Sequence, residues 1–159
     1  MEVLEMNVLK FQSNDDMYER LKMIFNKISL LIKLFSPQHL AIESQFFGKN
    51  VQSMLKLGRA QGVAIAAAMQ HGVEVQEYAP KKIKQSITGN GNADKEQVWK
   101  MLQQVLCLDE KPHYFDATDA LAVALCHYYQ MSSPLFSKIK KNQDWKSFIL
   151  ENKSRILNK

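Results

Sequence analysis

Glu43 is the first residue whose type and position suggest chemistry. It closes a short apolar run, His39-Leu40-Ala41-Ile42, which is typical of a buried β-strand. In open α/β sheets, ligands bind beside the carboxyl ends of the strands. A carboxylate is costly to bury at such a place unless it is paired or bound to a metal ion. Glu43 is therefore a candidate catalytic acid or metal ligand, and the alternative is a glutamate that marks the exit of the strand into solvent.

Asp116 and Asp119 form a second acidic feature, near the start of a predicted helix. A spacing of three residues places both side chains on one helix face, about one turn apart. Together with a third carboxylate from a neighbouring strand, they can hold Mg²⁺ through oxygen ligands. The same arrangement also suits a capped helix N-terminus, where acids are favoured by the helix dipole. Both interpretations remain open at this point.

Basic and aromatic residues lie beside these acids along the chain. Lysines near a carboxylate–metal site suit a phosphodiester backbone, although a solvated basic face is the alternative. Phe46 and Phe47 are consecutive aromatics in a predicted loop, where one can stack on an unpaired base or both can belong to the core. The basic residues are Lys49, Lys56, Arg59, Lys81, Lys82, Lys84 and Lys95.

The composition limits the class of protein that carries these residues. The chain has 159 residues, of which 46% are hydrophobic and 23% charged, so disordered and fibrous classes are excluded. Its formal net charge of +5 suits a polyanionic partner, and the alternative is a soluble basic protein without one. The longest purely apolar run, 63–69, is far shorter than the roughly 20 residues needed to cross a bilayer. Cys107 and Cys126 make no disulfide framework, so we expect a reducing, cytoplasmic compartment.

Hydrophobic spacing predicts the elements that must position the candidate residues. Strands are expected over 1–11, 39–43 and 73–78, and strands alternating with helices indicate an α/β domain with a partly parallel sheet. We expect this domain to occupy residues 1–131, followed by a basic C-terminal tail with a short helix over 132–159. The predicted helices run from Ser13 or Asn14 to Phe35, over 51–71, from Pro80 to Gly89, from Asn92 or Asp94, and over 116–131.

Several of these segments, in this order and spacing, resemble the RuvC family of Holliday junction resolvases. The resemblance extends from about residue 3 to about residue 130. The segments that carry it are Ala41-Ile42-Glu43, Phe46-Phe47-Gly48-Lys49-Asn50, Leu55-Lys56-Leu57-Gly58-Arg59-Ala60-Gln61-Gly62-Val63-Ala64, Glu77-Tyr78-Ala79-Pro80-Lys81-Lys82-Ile83-Lys84, Gly89-Asn90-Gly91, Lys95-Glu96-Gln97-Val98 and Asp116-Ala117-Thr118-Asp119-Ala120-Leu121-Ala122.

The resemblance implies an RNase H-like fold, with a mixed sheet flanked by helices, and a hydrolase that makes paired nicks in four-way DNA junctions during recombination and repair. It implies two Mg²⁺ ions per subunit, for which Mn²⁺ can substitute, held by Glu43, Asp116 and Asp119. One ion would activate the attacking water and the other would stabilise the leaving oxygen. Lys84 and Lys95 would join the three acids as catalytic residues near the scissile phosphate.

The resemblance also implies partners. The expected partners are four-way junction DNA, a second copy of the chain that packs through the helix over 51–71, and a RuvA–RuvB branch-migration complex. A two-fold dimer suits a nearly two-fold junction. Phe46 would probe unpaired bases at the junction centre. The DNA-binding residues implied are Phe46, Lys49, Lys56, Arg59, Lys81, Lys82, Lys84 and Lys95.

One family motif has no counterpart in this sequence. The family opens with a strand bearing Asp-Pro-Gly, which supplies a further metal-binding aspartate, whereas this chain is expected to begin in the third strand. Two strands with their turns correspond to roughly 20–25 residues. From this we expect an N-terminally truncated fold that is weakly active or inactive. The alternatives are a catalytically dead protein that binds four-way junctions, and an RNase H-like nuclease acting on RNA.

Overall fold

Five helices and two strands make up the parts of the chain that the computed structural model describes, namely residues 2–45, 50–108 and 115–132. Apart from the strand expected at the N-terminus, the predicted order of elements is confirmed. The elements are α1 (Met17–Phe35), β1 (His39–Glu43), α2 (Val51–Gln70), β2 (Glu74–Tyr78), α3 (Pro80–Thr88), α4 (Lys95–Leu106) and α5 (Phe115–Ser132).

The two strands form a parallel pair connected by α2. His39 aligns with Glu74 at one end of the pair, and Glu43 aligns with Tyr78 at the other. A parallel pair needs a crossover connection, and α2 supplies it. Because the strands run in the same direction and in register, their carboxyl ends meet at one edge. Glu43 therefore lies where the sequence places a candidate site.

The strand expected over residues 1–11 is the prediction that the structure overturns. Residues 2–11 adopt no strand. An alternating apolar pattern yields a strand only when its backbone finds a partner, and none pairs with this segment in the described part of the chain. Side chains of α1 contact it instead, since Lys27 Nζ lies 3.3 Å from Glu5 Oε1 and the Arg20 guanidinium lies 5.6 Å from the centre of the Phe11 ring.

Local signals set most helix ends. Helix α1 begins after Asp16, whose carboxylate accepts from the Glu19 N–H, and not after Ser13 or Asn14 as expected. At the other end the helix stops at Phe35, directly before Ser36-Pro37, as the Ser-Pro pair predicts. Ser36 itself takes a left-handed conformation and its N–H donates to the Ile32 carbonyl. Asp94 forms a capping box with Gln97 that fixes the first turn of α4.

The buried core gathers around the second half of the chain. Helix α1 packs against α2 but has no buried residue of its own. Burial of apolar side chains from the end of α2 and from β2, α3, α4 and α5 supplies the hydrophobic stabilisation. The core residues are Ala67, Ala68, Val73, Tyr78, Ile83, Ile87, Ala93, Val98, Trp99, Leu102, Ala117, Ala122, Val123, Leu125 and Cys126.

The chain divides into two compact units, residues 1–127 and 128–159. The first unit contains both strands, helices α1–α4 and most of α5. The second is described only over 128–132, where the rings of Tyr128 and Tyr129 lie 6.1 Å apart. The basic tail expected over 132–159 lies almost wholly outside the described residues and stays a prediction. No helix in the described ranges is long and apolar enough to cross a membrane.

Candidate active site

Glu43 stands at the carboxyl end of β1, and polar contacts hold its backbone there. The Ser44 N–H and hydroxyl both donate to the Tyr78 carbonyl, at 2.9 and 3.2 Å. From α2, the side-chain amide of Gln61 donates to the Glu43 carbonyl at 3.5 Å. These bonds connect β1, β2 and α2 at one point, so the position of the Glu43 carboxylate depends on three elements.

Helix α5 brings the two aspartates to this edge. The helix starts at Phe115, whose carbonyl accepts from the Thr118 hydroxyl at 2.6 Å. Ala117 and Thr118 are buried, and Asp116 is exposed in the first turn. Burial of these two neighbours fixes the rotation of the helix about its axis, and hence the direction of the Asp119 carboxylate.

Lys95 makes the shortest ion pair of the site. Its ammonium lies 2.9 Å from Asp119 Oδ2 and 5.7 Å from the centre of the Phe115 ring. Lys95 is the first residue of α4, directly after the capping residue Asp94, so the capping box sets the position from which its side chain reaches Asp119. The hydrogen bond to Asp119 is charge-assisted and therefore stronger than a neutral one.

The acids and lysines of the site interact electrostatically with one another. Partial burial raises the pKa of Glu43 and the charge of Asp119 raises it further, whereas Lys95 and Lys84 lower it. The hydrogen bond to Asp119 raises the pKa of Lys95, and the charges of Asp119, Asp116 and Glu43 add to this effect. All five residues predicted to be catalytic therefore interact with at least one other member of the set. We call Glu43, Asp116, Asp119, Lys84 and Lys95 the carboxylate–lysine cluster.

The other predicted DNA-binding residues are less concentrated. Lys81 and Lys82 lie exposed on α3, and the Lys82 ammonium is 5.8 Å from the centre of the Tyr78 ring. Lys56 and Arg59 are exposed on α2. Phe46 and Lys49 lie outside the described residues, so their predicted roles stay predictions.

The cluster fits a hard cation by the type of its donors. Carboxylate oxygens are the ligands that Mg²⁺ prefers in proteins. Over residues 2–45, 50–108 and 115–132, however, no three acidic, histidine or cysteine side chains are gathered closely enough to form a ready metal centre. One oxygen of Asp119 is also engaged by Lys95. The assignment of Glu43, Asp116 and Asp119 as metal ligands thus remains a prediction.

A polar contact involves His127, farther along α5 than Asp116 and Asp119. Helical spacing places His127 on the face of α5 that also carries these two aspartates. In the structure its Nδ1 lies 2.7 Å from the Tyr78 hydroxyl, and its ring centre is 4.9 Å from that of His39. Helical spacing is the signal that finds His127, but no local signal links it to Tyr78 or to His39.

Comparison with known proteins gives one consistent family. The family model described as crossover junction endodeoxyribonuclease RuvC matches residues 1–127. The chain is 52% identical over 155 residues to the protein of that name from Cytophaga hutchinsonii, covering 97% of this chain and 75% of the relative. It is 50% identical over 157 residues to the protein of the same name from Porphyromonas gingivalis, covering 97% of this chain and 83% of the relative.

Solved structures agree with this match. The Thermus thermophilus RuvC structure superposes with a TM-score of 0.75 at 34% identity, covering 82% of this chain and 78% of that one. The same protein in complex with a Holliday junction substrate gives a TM-score of 0.77 at 35% identity, over 82% of this chain and 80% of that one. The expected RNase H-like fold is confirmed, and the chain belongs to the RuvC family of crossover junction endodeoxyribonucleases.

Proposed function

We propose that this chain is a Holliday junction resolvase, an endonuclease that cuts phosphodiester bonds in four-way DNA junctions during recombination and repair. The observation that carries the proposal is the carboxylate–lysine cluster at the carboxyl edge of the parallel strands. A solved relative, Thermus thermophilus RuvC, is in complex with a Holliday junction substrate and superposes with a TM-score of 0.77, which supports the proposal. Acids and cations at one edge suit the hydrolysis of a charged diester.

Within this proposal the three acids hold the metal. Glu43, Asp116 and Asp119 provide oxygen ligands for Mg²⁺, or for Mn²⁺ in its place, with two ions per subunit as the resemblance implies. When bound, the metal supplies an activated water and stabilises the charge on the leaving oxygen. Lys95 and Lys84 neutralise the negative charge of the phosphate that enters the cluster. Release of Asp119 by Lys95 would free a carboxylate oxygen for the metal.

The DNA would contact exposed cations around the cluster. Lys81 and Lys82 on α3 and Lys56 and Arg59 on α2 suit phosphate contacts because their charged groups are exposed. Phe46 remains the predicted contact to unpaired bases at the junction centre.

We propose that the active form is a homodimer that packs through α2. Apolar and small residues, all exposed, follow one face of α2 at intervals of three or four, which places them in one stripe. Val51 is 66% and Leu55 is 59% exposed, a large apolar area for a face turned to water. A Cβ added at Gly62 meets no atom within 4 Å, so the stripe is open to a partner. The α2 stripe consists of Val51, Leu55, Gly58, Gly62, Ala66 and Met69.

A RuvA–RuvB branch-migration complex stays the predicted partner of the dimer on the junction. Binding of that complex to the junction-bound dimer would be measured separately from cleavage.

Cleavage and binding of a synthetic four-way junction by E43Q tests the proposal. The unchanged chain is expected to nick weakly, so the assay is run under single-turnover conditions that detect slow cutting. We expect E43Q to lose this Mg²⁺-dependent nicking and to retain junction binding. The matched control is Glu77→Gln. Glu77 is an exposed carboxylate on β2, directly before Tyr78, and it is not a member of the carboxylate–lysine cluster. Binding without nicking by the unchanged chain would favour the non-catalytic alternative, and equal binding to linear duplex would contradict both.

A further inference from the structure

A second polar contact joins α5, which carries Asp116 and Asp119, to β2, the strand that pairs with β1 beside Glu43. The Tyr78 hydroxyl, from the last residue of β2, lies 2.7 Å from Nδ1 of His127 on α5. Tyr78 is aligned with Glu43 in the sheet, and α5 carries Asp116 and Asp119. One hydrogen bond therefore connects the strand beside Glu43 to the helix of the two aspartates.

Of the two directions open to this hydrogen bond, the one with the Tyr78 hydroxyl as donor leaves fewer polar groups unsatisfied. Burial raises the pKa of Tyr78, so the hydroxyl keeps its proton and can donate. Tyr78 is only 7% exposed, and a buried hydroxyl without an acceptor is costly. Nδ1 of His127 then accepts, which places the imidazole hydrogen on Nε2.

The remaining surroundings of His127 leave little freedom for its ring. Its Nε2 is buried and has no hydrogen-bond partner among the described residues. The His39 ring packs against it at 4.9 Å, tilted by 56°, and the Tyr78 ring lies 5.8 Å away edge-on. Because Nε2 has no partner among the described residues, the hydrogen bond between Nδ1 and the Tyr78 hydroxyl is the polar contact that fixes the position of the imidazole ring.

We propose that Tyr78 and His127 are positioning residues, whose hydrogen bond sets how α5 lies on the β1–β2 pair and thereby the separation of Asp116 and Asp119 from Glu43. The inference rests on the proposed function, because it assigns a purpose to this separation. Tyr78 and His127 do not touch substrate or metal in this scheme. A catalytic arrangement misplaced by about 1 Å can lose about 100-fold in rate, so a contact that fixes one helix is sufficient to matter.

The test compares Tyr78→Phe with a matched pair of His127 variants. Y78F removes one oxygen atom and leaves the ring in the core. Asn places an amide oxygen close to the position of Nδ1, and Gln places its amide close to Nε2. H127N can therefore accept from Tyr78, and H127Q cannot. Ser86→Ala is the control, because the Ser86 hydroxyl donates to the Ile83 carbonyl within α3 and links no two elements.

Three measurements are made on the full chain: junction affinity, single-turnover nicking in Mg²⁺, and hydrogen exchange of the α5 amides without metal. We expect Y78F and H127Q to nick about 10- to 100-fold more slowly with unchanged junction affinity, and to exchange faster in α5. H127N is expected to recover most of both properties. Y78F that behaves as S86A, or H127N that behaves as H127Q, would overturn the inference.

Hydrogen exchange separates this inference from the proposed function. If the unchanged chain does not bind or nick junctions, the proposed function fails. Faster exchange of α5 in Y78F and H127Q, but not in H127N, would still support the positioning contact. Equal exchange in all variants would overturn it, whatever the nicking assay shows.

Discussion

At the scale of single residues, Glu43 is exposed at the end of β1, yet its surroundings shift its ionisation towards the neutral form. Partial burial and the charge of Asp119 raise its pKa above 4.5, and the lysines Lys95 and Lys84 only partly compensate. A carboxyl group with a raised pKa binds its proton more tightly in the folded chain than in the unfolded chain. The contribution of Glu43 to stability is therefore present at low pH and lost as the pH rises through 4.5 and the folded-state pKa.

We predict from this that E43Q raises the melting temperature of the metal-free chain at neutral pH. Glutamine resembles the protonated carboxyl group, so it removes the penalty of ionisation. Below pH 4.5, where Glu43 is protonated in both states, the two melting temperatures should converge. Calorimetry across this range tests the prediction, and a variant that is less stable than the unchanged chain at neutral pH would contradict it.

Lys95 is expected to matter for the rate more than for binding. Its ammonium is at 2.9 Å from Asp119, inside the carboxylate–lysine cluster. We predict that Lys95→Ala slows single-turnover nicking by about 100-fold, the loss typical when one group that stabilises transition-state charge is removed. Lys100→Ala on the same helix is the control, because Lys100 is exposed and lines a separate groove beside Asn90 and Gln104. Equal nicking rates for Lys95→Ala and Lys100→Ala would show that Lys95 has no catalytic role.

His127 predicts a pH dependence of folding. Burial, and then the neighbouring His39, lower the pKa of His127 from 6.5. The unfolded chain therefore binds a proton that the folded chain does not, and stability falls as the pH drops below 6.5 until the folded-state pKa is reached. Urea unfolding at about pH 7.5 and about pH 5 should show a larger loss for the unchanged chain than for H127N, which cannot titrate there. The same loss in both would contradict the account.

At the scale of elements, the α2 stripe makes a separable prediction. We expect Leu55→Glu to convert the dimer to a monomer, because it buries a charge in the proposed interface. Leu57→Glu is the control, since Leu57 is 61% exposed but lies two residues away on another face of α2. Sedimentation equilibrium measures both. The proposed interface would be contradicted if the unchanged chain were a monomer, or if the two variants had the same oligomeric state.

Local chemistry made most elements predictable. The Ser36-Pro37 pair, the glycine after α3 and the capping residue Asp94 each end or begin a helix where the sequence indicates. Residues 2–11 show the limit of such signals, because a strand needs a partner strand, and alternation within one segment does not identify that partner. The start of α1 shows a smaller limit, since Ser13, Asn14 and Asp16 are all good caps and only the structure selects Asp16.

The candidate site was predictable in its parts and less so in its assembly. Glu43 at a strand end and the Asp116–Asp119 spacing are visible in the sequence, although each has an ordinary structural explanation. The pairing of Lys95 with Asp119 joins residues 24 positions apart on α4 and α5, and spacing within either helix does not reveal it. The contact between Tyr78 and His127 joins residues 49 positions apart, and no periodicity within either segment indicates it.

At the scale of the whole molecule, the charge suits a polyanion. The chain carries a formal net charge of +5 and a sequence pI of about 9.1. Where phosphate contacts dominate the affinity, the logarithm of the binding constant falls linearly with the logarithm of the salt concentration. The family match over residues 1–127 coincides with the first compact unit, which contains the whole cluster. The site and most of its supporting elements therefore belong to the part of the chain with family resemblance.

Nicking of a synthetic four-way DNA junction by the unchanged chain and by E43Q, with linear duplex of the same sequence beside it, tests the central claim most directly. The account predicts tighter binding to the junction by both proteins, and weak Mg²⁺-dependent nicking from the unchanged chain alone. Nicks of equal rate from E43Q would show that the cluster is not the active site. Equal affinity for junction and linear duplex would show that four-way junctions are not the substrate.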